Sequence, residues 1–330
     1  MKKRQLLSSG KMVSEIGLGC MSFAGTYGGT SEREAHDTLS AALDLGVDHL
    51  DTSNIYGLGL SEQVIGSFIQ GDASKFTIAT KAGIWRDREH GNRGFNNKPD
   101  YLRDELHGSL KRLGVDHVDL FYIHRRDRDL EIEDVMETLL AFKQEGKIGG
   151  IGFSEIAPAS LRRACSVGQV DVVQSEYSLW SRQPDLGLHS TCRELGVALV
   201  AYSPLARGML TDATPDPARF ADNDLRRNTP RFVEPNYGFN LPYIDRFKAY
   251  AADHGTTPSA LAIAWCLARG DHIIPIPGTR TKEHLADCAA GSDLNLTDEM
   301  MAEIETILPS GWAHGDRYTP AQWAGPERYC

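Results

Sequence analysis

The chain has 330 residues, 41% of them hydrophobic and 24% charged, the make-up of a folded globular chain rather than a disordered or fibrous one. Its 35 Lys+Arg against 45 Asp+Glu give a formal net charge of −10, which argues against nucleic acid or an anionic membrane as partner, since both require a basic face. No apolar run approaches the ~20 residues of a membrane span, and the basic start Met1-Lys2-Lys3-Arg4 is not followed by the apolar stretch of a secretory signal, so a cytoplasmic protein is expected.

In chain order, residues 4–13 read as a hairpin turning at Ser9-Gly10, followed by the short apolar run Glu15-Ile16-Gly17-Leu18. Asp48-His49-Leu50 reads as a strand, 61–69 as a helix, 76–79 as a strand and 100–113 as a helix. Residues 118–123 form a clear strand, and Ile132, Val135, Met136, Leu139 and Leu140 then fall on one stripe of a core-facing helix. A strand at 148–153, a helix at 159–167, a strand at 171–173, a helix ending near Leu195 and a strand at 197–201 continue the alternation. Residues 211–238 hold four prolines and little periodicity, which suggests a lid or binding loop. An apolar helix at 258–268 precedes a last strand, His272-Ile273-Ile274, and an extra helix at 297–308 follows.

Alternation of this kind over about eight units means parallel strands joined by crossover helices. The spacing is regular and no linker divides the chain, so residues 1–330 are expected to form a single domain, a (β/α)8 TIM barrel with an N-terminal hairpin and a C-terminal extra helix. The six cysteines, Cys20, Cys165, Cys192, Cys266, Cys288 and Cys330, are scattered without a C-x-x-C pair. Reduced, mostly buried thiols and no metal site are expected.

In such a barrel the chemistry sits where strands end, which directs attention to Asp51, Lys81, His124, Ser154, Gln174 and Tyr202. Each alone has a plain structural reading, Asp51 as a helix cap and His124 as a satisfied core histidine. Together with Tyr56, five residues beyond Asp51, they make sense for moving a proton to a carbonyl oxygen. Tyrosine, with a reference pKa of ~10, is a reluctant acid; a neighbouring Lys81 ammonium favours the phenolate, Asp51 holds that lysine, and His124 hydrogen-bonds the oxygen. The hydride must come from a cofactor.

These residues lie in a series of motifs: Gly17-Leu18-Gly19-Cys20-Met21, Asp51-Thr52-Ser53-Asn54-Ile55-Tyr56-Gly57, Thr80-Lys81, Ile123-His124-Arg125, Gly152-Phe153-Ser154, Gln174-Ser175-Glu176-Tyr177, Ala201-Tyr202-Ser203-Pro204-Leu205 and Ile276-Pro277-Gly278-Thr279. In that order, over residues 15–308, they resemble the aldo-keto reductases, and within that family the branch with Ser-Glu after the fifth strand. The resemblance implies an α/β barrel, a catalytic tetrad of Asp51, Tyr56, Lys81 and His124 with Tyr56 as general acid, and reversible reduction of aldehydes or ketones to alcohols. It implies NADPH (NADP+) as cofactor, with NADH the alternative, bound without a Rossmann fingerprint. No G-x-G-x-x-G follows a strand here, and Gly17-Leu18-Gly19 reads as a tight turn at the barrel mouth.

By the same resemblance Met21 and Asp51 border the cofactor, Ser154 and Gln174 hold its carboxamide, and Tyr202 stacks on the nicotinamide. Ser203, Pro204, Leu205, Arg207 and Gly208 line the pyrophosphate, and Gly278, Thr279, Arg280, Lys282, His284, Asp287 and Cys288 meet the adenosine end. Glu155 stands where most of the family has Asn, and Gly278 where many members have a phosphate-binding Lys, a charge that Arg280 and Lys282 would replace. His284, Asp287 and Cys288 also depart from the usual residues. The run Arg125-Arg126-Asp127-Arg128-Asp129 reads as a solvated loop, with Arg125 and Arg126 facing an anionic substrate group as the other reading. Trp85 and Trp180 either wall the pocket or pack, and Arg226, Arg227 and Arg231 either close over phosphates or balance Asp222 and Asp224. The partner is thus a small carbonyl or alcohol substrate; oligomeric state has no signature in the sequence. Two rival readings are a cofactor-sensing subunit like the potassium-channel β-subunits, which share the tetrad, and a lyase or aldolase using Lys81 as a Schiff base.

Overall fold

A computed structural model describes residues 1–25, 28–70, 72–86, 93–222 and 224–329. Eight parallel strands lie side by side in chain order: Leu18–Gly19, His49–Asp51, Thr77–Ala82, Val118–Ile123, Ile148–Ser154, Val172–Glu176, Ala198–Tyr202 and Ile273–Ile276. Nearly every residue in them is buried, polar ones included, as in strands covered on both faces. The first strand meets the last to close the ring, with Gly17 N–H donating to the Pro275 carbonyl at 2.9 Å, Gly19 N–H to Pro277 at 3.0 Å, and Gly19 bridging to Gly278. The fold is a (β/α)8 TIM barrel.

Inside the barrel Ala79, Leu120, Tyr122, Val172, Val200, Ile274 and Ile276 pack on Leu6, Leu7 and Val13. Leu6 and Leu7 lie in the turn of the N-terminal hairpin, Lys3–Gln5 against Met12–Ser14, so the hairpin plugs the bottom of the barrel. Outside it, helices α1 (Glu32–Leu45), α2 (Leu60–Ile69), α3 (Pro99–Leu113), α4 (Ile132–Gln144), α5 (Pro158–Val167), α6 (Leu188–Leu195), α7 (Asn236–Asp253), α8 (Pro258–Ala268) and α9 (Lys282–Ala289) cover the strands, and α10 (Asp298–Ile307) packs on α7. Local chemistry sets their ends: Ser31 and Glu34 form a capping box on α1, and Gly46 closes it in a left-handed C-cap. None of these helices is long and apolar enough to cross a membrane.

Three helices had no reading in the sequence: α1, α7 and the short α9. In α1 the buried stripe is mostly small, Ala35, Thr38, Leu39 and Ala42, and α7 carries Pro242 within it. Gly17-Leu18-Gly19 is not a mouth turn but the seam. A Cβ on Gly17 would lie 2.8 Å from His49 Cδ2, and one on Gly19 would lie 2.9 Å from the Ile276 carbonyl oxygen. The proline-rich stretch is docked rather than free, burying Phe220, Thr229 and Phe232. Arg226 and Arg227 pair there with Asp224 at 2.7 Å and Asp222 at 2.9 Å. Cys20, Cys192, Cys266 and Cys288 are buried free thiols and Cys165 is half-buried; Cys330 lies outside the described residues.

Because the seam approaches so closely, Gly19→Ala must push backbone apart. Overpacking of this kind costs about 1–3 kcal/mol, and urea denaturation of the variant should show a loss in that range with an unchanged slope.

Candidate active site

Asp51 ends the second strand and Lys81 stands one residue before the end of the third. Both are buried, and the Lys81 ammonium pairs with Asp51 Oδ1 and donates to the Thr52 carbonyl at 2.8 Å. Tyr56, half-buried in the loop after the second strand, lies beside it, with Lys81 Nζ 5.2 Å from its ring centroid. His124 follows the fourth strand and meets the Tyr56 ring edge-on, centroids 5.7 Å apart at 85°, while Nδ1 sits 3.0 Å from the Ser53 hydroxyl. Three successive βα loops and strand ends thus bring the four residues of the tetrad to one point.

Their electrostatics are set by burial against pairing. Burial alone would depress Lys81, but the Asp51 charge, with Tyr56 and their hydrogen bonds, outweighs it and holds the ammonium above its ordinary range. Burial pushes His124 well below its usual value, assisted by the charges of Arg125 and Lys81, so the imidazole is neutral at pH 7. Burial also raises Tyr56, and the Lys81 charge opposes that rise without overcoming it. Lys81 alone would ease the phenol toward ionisation, as the sequence suggests, but removal of the ring from water is the larger effect.

The next three strand ends continue the rim. Gln174 Nε2 donates to Asp51 Oδ2 at 2.7 Å, and among the described residues its side-chain carbonyl oxygen accepts no hydrogen bond. Ser154 Oγ accepts from Arg125 Nη1 at 2.9 Å. Tyr202 donates to Glu155 Oε1 at 2.9 Å and touches the Tyr318 hydroxyl at 2.6 Å.

Past Tyr202 the backbone turns left-handed at Ser203 (φ 52°), Ala206 (φ 53°), Arg207 (φ 57°) and Gly208 (φ 101°). Alternating hands of this kind gather N–H groups into a concavity suited to phosphate oxygens. Pro204 is buried and Leu205 half-buried at its base, and Arg207 reaches back to Glu176 at 3.1 Å. Met21 is half-buried in the helical turn Cys20–Ala24. Across the seam Gly278 is exposed and bare, since a Cβ there would meet only the Gly19 oxygen at 3.5 Å. Thr279 is buried, while Arg280, Lys282 and His284 are exposed around the N-terminus of α9, which Thr281 caps. Asp287 and Cys288 face inward. The Asp287 carboxylate takes the Thr257 hydroxyl at 2.5 Å, and Cys288 packs in the core with Ile16, Ile263 and Leu267, so neither side chain lies with the exposed group.

The segment after α10 is absent from the sequence reading. Residues 309–329 return across the barrel mouth and are bound there by charge. Arg317 grips the buried Glu155 with both Nη atoms and lies 3.6 Å from Glu176. Glu327 pairs with Arg126 at 2.7 Å and accepts from the Ala157 N–H that opens α5 at 2.7 Å. Arg128 donates to the Pro326 carbonyl at 2.7 Å. Within the Arg125–Asp129 run, Arg128 and Asp129 are exposed as expected of a solvated loop, whereas Arg126 is buried against the C-terminal segment and Arg125 is half-buried beside Ser154. Trp180 is a packing residue, stacked 5.9 Å from Trp312, and Arg231 donates to Ser181 Oγ at 2.9 Å. Trp85 is partly exposed on a side hairpin, Ile84–Arg86 with Arg93–Phe95. Residues 309–329 carry no periodic pattern, so only their arginines and aromatic rings offered a signal.

The same segment explains Glu155. Burial would raise its carboxyl, but the Arg317 charge and hydrogen bonds, with Arg125 and the Glu176 N–H, bring it down to about 2.

A family model described as "Aldo/keto reductase family" matches residues 15–309, and the chain belongs to that family. Its relatives include "Aldo-keto reductase yakc [NADP(+)]" of Schizosaccharomyces pombe, 38% identical over 313 residues, 93% of this chain and 92% of that protein. Among solved structures it is similar to the glycerol dehydrogenase AKR11B4 from Gluconobacter oxydans, with TM-score 0.85 and 27% identity over 96% of this chain and 98% of that one. The holo form of aldo-keto reductase AKR11C1 from Bacillus halodurans gives TM-score 0.78 and 26% identity over 94% and 97% of the two chains.

Removing Arg317 strands a buried carboxylate, and breaking such a pair costs about 3–5 kcal/mol. Arg317→Met should therefore lose that much stability at neutral pH. In the wild type the stabilisation is complete above the unfolded glutamate's ordinary pKa and falls away as pH drops toward about 2. Denaturation from neutral to acid pH should show the acid limb flattened in Glu155→Gln.

Proposed function

We propose that this protein is an NADPH-dependent oxidoreductase that reversibly reduces aldehydes or ketones to alcohols, with Tyr56 as general acid. The observation that carries this reading is the meeting of Asp51, Lys81, Tyr56 and His124 at adjoining strand ends. The family assigned above and a relative whose name carries NADP(+) support it.

The residues present suit a nicotinamide dinucleotide. The open amide oxygen of Gln174, with Ser154, would take the carboxamide, and Tyr202 would face the ring. The left-handed turn at 203–208 would take the pyrophosphate, and the exposed Arg280 and Lys282 at a helix N-terminus would take the 2′-phosphate. When bound, the nicotinamide supplies or accepts the hydride. The protein's own work is proton handling and orientation. With the Ser53 hydroxyl donating to His124 Nδ1, the ring proton would lie on Nε2, where the neutral imidazole would hydrogen-bond a carbonyl oxygen and set the substrate's pose. Tyr56 then gives that oxygen its proton, and the Lys81 ammonium, fixed by Asp51, stabilises the phenolate that forms. A lysine held above its ordinary pKa and locked to Asp51 is a poor nucleophile, which disfavours the Schiff-base reading.

Tyr56→Phe deletes the phenolic proton and keeps the ring. It should retain NADPH binding and lose about 10²–10⁴-fold in turnover. Initial rates for an aldehyde with NADPH would measure this, and survival of more than about a tenth of the rate would reject Tyr56 as the acid. With a phenol raised by burial, reduction, which needs it protonated, should hold through neutral pH and decline on the alkaline side. Oxidation needs it ionised and should peak at higher pH.

Arg280→Ala tests the cofactor assignment. A charge-assisted hydrogen bond to phosphate corresponds to roughly 10- to 150-fold in affinity. Fluorescence titration should show that loss for NADPH and little change for NADH; equal losses would give Arg280 a loop-supporting role instead.

A further inference from the structure

Arg125 follows His124 directly and is half-buried on the inner lip of the mouth. Its stem lies beneath the returning C-terminal segment at Gly325, where an added Cβ would come within 3.1 Å of Arg125 Cδ and 3.2 Å of its Nε. Only Nη1 is used, donating to the His124 carbonyl at 2.6 Å and to Ser154 Oγ at 2.9 Å. Among the described residues Nε and Nη2 make no hydrogen bond and no carboxylate pairs with the guanidinium. That sets it apart from its neighbours, since Arg126 is paired with Glu327, Arg207 with Glu176 and Arg317 with Glu155. Lys81 is likewise neutralised by Asp51. Arg125, whose charge also acts on Glu155, therefore keeps the donors of its Nε–Nη2 edge unused beside the tetrad, with Nε close to Gly325. That edge is the one that receives a planar carboxylate through two parallel hydrogen bonds.

We propose that Arg125 is a specificity-determining residue that binds the carboxylate of an oxo acid, so that the preferred substrates are aldehydes or ketones carrying a carboxylate close to the carbonyl. The inference rests on the carbonyl-reductase reading above. A carboxylate fits better than a phosphate: a dianion would need a second open cation, and Arg207 and Arg317 are already committed to glutamates.

The test compares 4-oxobutanoate with its methyl ester, and 2-carboxybenzaldehyde with its methyl ester, as substrates with NADPH. In the wild type kcat/KM should favour each acid by roughly 10- to 150-fold, the worth of a charge-assisted hydrogen bond, and the difference should lie in KM. Added salt should raise KM for the acids alone. Arg125→Met should abolish the preference, and Arg125→Lys, which keeps the charge without the fork, should restore part of it. Equal kcat/KM for acid and ester in the wild type, or a preference that survives in Arg125→Met, would overturn the proposal. So would a variant whose defect is confined to NADPH affinity, because Arg125 would then serve the cofactor through Ser154. Reduction of the neutral esters by the wild type tests the underlying reading separately. If neither acid nor ester is reduced, calorimetric titration with benzoate decides: binding that Arg125→Met loses supports the site, and equal binding to both proteins overturns it.

Discussion

The structure of the mouth depends on one buried ion pair. Lys81 has no contact with solvent, and an ammonium in that position is tolerable only if its charge and its donors are met. Asp51 meets the charge, the Thr52 carbonyl takes a second donor, and the rings of Tyr56 and Tyr122 lie 5.2 and 5.5 Å from it. Asp51 in turn spends its other oxygen on Gln174. The pair thus ties the second strand to the third and, through Gln174, to the sixth across the barrel. It fixes where a phenol and an imidazole must sit to share the same few ångströms. Replacing the pair by apolar side chains is compatible with a barrel core, which is why it reads as a device for function rather than for stability.

A second layer of charge encloses this one. Glu155 and Glu176 are buried carboxylates at the ends of the fifth and sixth strands, and each is answered by arginine: Arg317 for the first, Arg207 for the second. Arg317 belongs to the C-terminal segment, so the charge balance of the rim is completed only when residues 309–329 fold back. That return also delivers Tyr318 to Tyr202 and Glu327 to Arg126 and the start of α5. The roof of the site is held by ion pairs whose acidic and basic members lie more than a hundred residues apart, Arg317 with Glu155 and Arg126 with Glu327, and by Trp312, which packs into the apolar core.

Sequence and structure agree wherever a pattern is local. The strand over 118–123 and the helix over 258–268 coincide with Val118–Ile123 and Pro258–Ala268, the first because its run is apolar apart from Asp119, the second because proline opens it and apolar side chains fill it. They part where tertiary contact overrides the local signal. In α1 the buried face is built of small residues that give little contrast, and α7 has a proline inside it. Gly17-Leu18-Gly19 has the glycines of a turn, yet these glycines are there because two backbones meet at the seam.

The sequence by itself determined the class of fold and singled out Asp51, Tyr56, Lys81 and His124, the residues the barrel brings together. Alternation of strand and helix leaves a parallel barrel as the economical closure, and strand ends of a barrel converge whatever fills the loops. Only the tertiary structure decided the electrostatic character of those residues. Tyr56 is raised rather than eased because desolvation depends on what surrounds the ring, and Glu155 is a carboxylate because Arg317 arrives from a segment with no periodicity to announce it. Which arginine keeps an open edge was likewise settled by pairing in space. Arg125 and Arg126 are adjacent in the chain, and only the returning C-terminus, by giving Glu327 to one of them, makes them different.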